Sequence, residues 1–300
     1  MKLHPHQRAN LLFGGLTGGA ALSILVVLGL IAWDVLSNGL PQLSWEFISK
    51  APRDGMTAGG IFPAIFGTVA LVMIMTLAVV PVGVLTAIYL HEYARQDGLP
   101  ARLVRGAVYN LAGVPSIVFG LFGLGFFIQF VGGGIDRIFY GGDVVYGQPA
   151  IIWASLTLAI LTLPVVIVAT EEALRTVPRE HREAALALGC TRFEALLRVT
   201  LPQALPGIMT GAILAVARGA GETAPILFTG AAYFLPHLPT RPHDQFMNLG
   251  YHVYVLATQS PDIEATKPIL YGTVLVLMLV TVMLNVVAMT VRSRLRADRA

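Results

Sequence analysis

Charge is what this 300-residue sequence has least of: Asp, Glu, Lys and Arg make up 12% of it, against roughly 25% in a soluble domain. Cysteine is nearly absent too. A lone Cys190 excludes an internal disulfide and any cysteine-built metal site. No G-x-x-x-x-G-K-[ST] string occurs, and the glycine-rich run GGLTGG at 14–19 lies in an apolar stretch with no lysine after it. The chain is therefore not expected to hydrolyse ATP, and that run reads as helix packing. Missing as well are a helical His-x-x-x-His pair, a nucleophile elbow and a carboxylate dyad, so no enzyme, metal centre or cofactor is expected. His237, His243 and His252 match no metal-binding spacing. The pI near 9.1 does not point to nucleic acid, because the basic residues are spread along the chain.

What is present is apolar sequence, 55% of the chain, with mean hydropathy +0.72. The runs are continuous, not alternating, which favours membrane helices over a β-barrel. Six stretches reach about the 20 residues a helical span needs: 11–33, 61–90, 108–130, 149–169, one from about 204, and 269–291. The expectation is an all-α polytopic protein with a membrane domain over 11–291, tails at 1–10 and 292–300, and long loops at 171–202 and 234–268. Pro81, Pro115 and Pro164 inside spans predict kinks. Trp33 and Trp45 read as interfacial anchors at the outer end of the first span.

Fourteen of the 20 Lys and Arg residues fall on the side that holds both termini and loop 171–202, which predicts that this side is cytoplasmic. Loop 234–268 is then external. Its string FMNLGYHVYVLAT, 246–258, reads as an apolar helix at the outer surface that closes a cavity or meets a partner.

Loop 171–202 has its own grammar. Pro178 suits a first helical turn and REHREAALAL is dense in helix formers. Gly189 supplies a stop, Thr191–Glu194 spells a capping box, and Pro202 marks the return to the bilayer. Phe193, Leu196 and Leu197 are expected on one face. Such a face either lies on the membrane surface or docks a soluble partner.

The fifth span carries ARGAGETAPILFTG, 217–230. Counted at 1.5 Å per residue from Ala204, Arg218 lies about 21 Å in, near mid-bilayer. A charge there marks a pathway or a pair. Glu222 is the natural partner, so Arg218 either merely pairs with it or contacts an anion in a translocation path. Gly219, Gly221 and Pro225 predict a break near 221 that lines a cavity. Ser116 is a lesser path candidate, and a backbone hydrogen bond within its own helix accounts for it better.

Glu183-Ala184-Ala185, then Gly189, then Val199-Thr200-Leu201-Pro202 resemble the EAA loop of ABC importer permeases, departing only in Val199 for Ile. GETAPILFTG, GVPSIVFGLFG (113–123) and PVGVLTAIYLHEYA (81–94) resemble the phosphate-specific branch, and within it the PstA type. This resemblance implies a MetI-like fold with six spans in a bacterial inner membrane, and an inorganic phosphate importer driven by ATP. It implies a second, PstC-like permease, two PstB-like ATPase subunits and a PstS-like periplasmic phosphate-binding protein. It assigns Glu183, Ala184, Ala185, Gly189, Leu201 and Pro202 to ATPase coupling, and Arg218, Glu222, Thr223 and Ser116 to the substrate path. The alternatives are an importer of another oxyanion, such as sulfate or molybdate, and a secondary transporter driven by an ion gradient.

Overall fold

In hydrocarbon only bonds within a segment satisfy the backbone, so uncharged apolar runs become helices. The computed structural model, which describes residues 5–95, 98–260 and 262–297, is built almost wholly from them. Six are long and apolar enough to cross a bilayer: Leu12–Gln42, Phe62–Tyr93, Ser116–Phe139, Ile151–Arg175, Arg192–Gly221 and Ile263–Arg294. This is a multi-pass membrane protein.

Helix α1 (Pro5–Gly39) runs six residues past Trp33, so that tryptophan stands on the helix and not at its end. The glycines of GGLTGG touch nothing within the chain, so any packing they serve is with another molecule. At its far end α1 meets the last helix: Tyr271 donates to Asp34 Oδ2 at 3.0 Å. A short helix α2 (Trp45–Ser49), capped by the Ser44 hydroxyl, and a two-residue hairpin of β1 (Pro52–Arg53) and β2 (Ala58–Gly59) lead into α3 (Phe62–Ile88).

Helix α3 ends in a π turn, Tyr89–Tyr93. Next come α4 (Leu99–Ala112), α5 (Ser116–Phe122), a π stretch (Gly123–Gly132) and α6 (Gly133–Phe139). The third span therefore begins at Ser116, not 108. Gly113 and Pro115 break the helix, because Pro115, at φ −57° and ψ 137°, is extended and cannot continue α4. Pro115 is a helix start and not a kink. Pro81 and Pro164 instead lie inside continuous helices, the latter in α7 (Ile151–Arg175).

Beyond α7 lie α8 (Arg179–Ala187) and α9 (Arg192–Ala195), then a π turn (Leu196–Thr200) that runs straight into α10 (Leu201–Gly221). The fifth span thus starts at Arg192, inside the predicted loop. The wider π turn just ahead of Pro202 gives its ring room, so the proline does not end the helix. Helices α11 (Leu249–Thr258) and α12 (Ile263–Ala297) complete the chain.

The core lies where α3, α7 and α10 meet, around the buried Leu71, Met75, Leu158, Val166 and Ala215. Gly211 packs on Ala169 and Gly207 on Ala173, the small-on-small contact that lets membrane helices approach. The apolar helix predicted in loop 234–268 is present as α11, with one side packed into the bundle. Phe246, Leu249 and Val255 are fully buried, and the Met247 carbonyl rests on Gly67 of α3. Thr68 holds it there, accepting from Leu249 N at 2.9 Å and from Asn248 Nδ2 at 3.3 Å. The buried hydroxyl is thereby satisfied, and it anchors the segment in an apolar groove.

Candidate functional site

Two helix breaks frame the first site. Helix α10 ends at Gly221, and Glu222 turns extended at φ −82° and ψ 127°. The break predicted near 221 is there. From it a short 3-10 turn, Pro225–Leu227, lies against α5, with Gly120 directly on Pro225 and Phe228. Thr223 reaches the start of α11, its hydroxyl beside Gly250. Ser116 occupies the first position of α5, where its helix has no preceding turn to offer a carbonyl. The backbone bond expected for it therefore has no acceptor in its own helix.

Arg218 sits one residue from Gly219, which lies on Met75 halfway along α3. The arginine is thus at mid-height of the bundle. Its Nε stands 3.6 Å from Glu222 Oε1, so the pair forms even though the helix ends between the two. The side chains remain 39% and 22% exposed. The pair is thus not closed over by the described residues of its own chain.

The loop between α7 and α10 forms the second site. Gly189 takes φ +90°, the left-handed conformation that lets α8 stop and the chain turn. The capping box is complete: Thr191 Oγ1 accepts from Glu194 N at 3.2 Å, and Thr191 N donates to Glu194 Oε2 at 2.9 Å. Ala185 is buried while Ala184 is exposed. Leu201 and Pro202 are half-buried at the start of α10. The predicted apolar face is split: Leu196 is buried inward, whereas Phe193 and Leu197 stay exposed, joined by Leu188 at 86%. Glu183 is exposed and makes no ion pair among the described residues. It lines a cleft of about 440 Å³ with Glu92, Arg179, Arg182 and Arg192.

Sequence reading missed what ties this loop to the bundle. Arg182 on α8 bonds Glu92 in the π turn after α3 at 2.6 Å, with the glutamate side chain only 6% exposed. Arg105 on α4 reaches Glu171 of α7 at 3.4 Å and the Leu90 carbonyl at 3.1 Å. Charges at span ends look alike in sequence; only the tertiary contacts distinguish these from solvated ones. The three histidines also scatter. His243 packs on the Tyr146 ring, His252 is buried on α11, and His237 is exposed.

Residues 79–297 match the family of binding-protein-dependent transport system inner membrane components. Over 259 residues the chain is 33% identical to a probable ABC transporter permease protein, YqgI, of Bacillus subtilis, covering 82% of this chain and 83% of that protein. It is 40% identical over 212 residues to the phosphate transport system permease protein PstA of Mycobacterium leprae, covering 68% and 64%. With the probable PstA of Methanocaldococcus jannaschii it shares 31% over 265 residues, covering 87% and 86%. The crystal structure of a bacterial alginate ABC transporter, in complex with an alginate pentasaccharide-bound periplasmic protein, contains a chain of similar fold. The TM-score is 0.67 at 16% identity, over 94% of this chain and 93% of that one.

Proposed function

The chain belongs to the binding-protein-dependent transport system inner membrane components, and on that premise we propose that it is the permease subunit of an ATP-driven importer of inorganic phosphate. The phosphate permeases among its relatives support the cargo. The observation that carries the reading is the Arg218–Glu222 pair, at mid-height yet partly exposed. In this reading a second, homologous permease covers that exposed pair and completes the path. ATP hydrolysis belongs to separate subunits, and a periplasmic binding protein delivers the anion.

The physics suits coupled import. A phosphate group carries about −1.5 to −2 charges near neutral pH. Moving each one toward a negative interior costs about 2.3 kcal/mol per 100 mV, hence about 3.5–4.5 kcal/mol before any concentration gradient. In this reading both termini and the α8–α9 loop are cytoplasmic. Leu188, Phe193 and Leu197 dock on the ATPase, Glu183 meets its basic residues, and Gly189 is the elbow between α8 and α9. At rest Glu222 neutralises Arg218. Arriving hydrogen phosphate takes over the guanidinium fork and donates a hydrogen bond, through the proton it keeps, to the displaced carboxylate. Sulfate has no such proton.

Reconstituted with its partners, Glu222→Gln is expected to slow phosphate uptake by about tenfold, equivalent to about 1.4 kcal/mol, and to let sulfate compete. Unchanged uptake and unchanged sulfate exclusion would remove the role of Glu222 as acceptor of the phosphate's hydrogen bond. Uptake that survives ATP depletion would remove the importer.

A further inference from the structure

A second cavity, of about 300 Å³, lies at the α8 end of the bundle, lined by Leu90, His91, Arg105, Arg175 and Arg179. No carboxylate lines it. Of its three arginines, Arg105 is held by Glu171 and the Leu90 carbonyl through Nη2, but its buried Nε has no hydrogen-bond partner among the described residues. Arg175 pairs at 2.9 Å with Glu172, both well exposed. Arg179, the first residue of α8, makes no ion pair among the described residues. Guanidinium forks converging on a pocket without acid, with one donor left over, suit a tetrahedral oxyanion.

We propose that this pocket binds a phosphate group on the loop side of the membrane, and that occupancy restrains the α8–α9 loop. The four segments that meet there are the end of α3, α4, the end of α7 and the start of α8. An anion between them bridges Arg179 on the moving loop to Arg105 and Arg175 on the bundle, beside the Glu92–Arg182 bond that already joins α8 to α3. The phosphate comes either free from the cytoplasm, as the imported product, or from an anionic lipid headgroup. The loop's being cytoplasmic and mobile rests on the importer reading above; the pocket's chemistry does not.

The complex with its partner subunits, in nanodiscs, provides the test. ATP hydrolysis stimulated by the binding protein is followed by ADP release, with inorganic phosphate or sulfate titrated in. The discs are made from phosphatidylcholine alone or with phosphatidylglycerol. Free phosphate as the occupant predicts several-fold inhibition by inorganic phosphate in both lipids; a headgroup predicts inhibition by phosphatidylglycerol only. In each case Arg179→Gln and Arg175→Gln, each normalised to its own rate without anion, abolish the response, and Arg179→Lys restores part of it. Wild-type hydrolysis indifferent to both sources, or a response that persists in both glutamine variants, overturns the proposal. Failure of phosphate uptake with this response intact would count against the cargo and not against the pocket.

Discussion

His252 is 2% exposed on α11 and its Nδ1 has no partner among the described residues. Burial disfavours the imidazolium and draws its pKa from 6.5 down to about 4. Between those values the unfolded chain binds a proton that the folded one refuses, so stability falls as pH drops from 6.5 towards 4 and is flat above. The full loss is about 3 kcal/mol. Thermal unfolding in detergent at pH 7 and pH 4.5 checks it: His252→Gln should flatten the difference. Gly189 is a different case. Nothing crowds its α-carbon, so only its φ of +90° resists a side chain. Gly189→Ala should cost about 1–2 kcal/mol locally. It should lower phosphate transported per ATP hydrolysed while the spans stay folded, and an unchanged ratio would show that the elbow tolerates redirection.

Among the elements, α11 depends most on a single neighbour. A side chain at Gly67 would enter the Met247 carbonyl, so even Gly67→Ala must push α11 out of its groove. An overpacking cost of about 1–3 kcal/mol is expected, read as a lower unfolding temperature, with binding-protein-dependent uptake lost alongside. Much of the fold was legible in the sequence because spans need long apolar runs and little else. All six were found, and Thr191–Glu194 and Gly189 announced their turn by residue type. The errors have local causes. Val108 looked like part of span three because hydropathy does not register that Pro115 ends a helix. Leu196 looked exposed because residue type and period group it with Phe193 and Leu197, while the structure buries it beside Ala195. The Arg218–Glu222 pair was visible as two charges in an apolar run. Arg182–Glu92 was not, since the two partners come from separate elements and each sits at a span end where charge is ordinary.

At the scale of the whole molecule, large faces are apolar and uncovered, α1 above all, as contact with lipid requires. The sole cysteine lies in the loop read as docking the ATPase, half-exposed next to Gly189. A membrane-impermeant maleimide should label Cys190 only from the cytoplasmic side, and assembly with the ATPase subunit should block it. Labelling from outside would invert the orientation, and labelling indifferent to the ATPase would move the docking surface elsewhere. The unbroken run from Arg192 to Gly221 has one more consequence. Arg192 and Arg218 stand at two ends of one rod about 39 Å apart, so a tilt of about 5° displaces the far end by about 3 Å. That is a lever arm. On the importer reading, a swing too small to unfold anything at the loop shifts the guanidinium by a water's width past Met75, and a gate operated this way would need no moving part of its own.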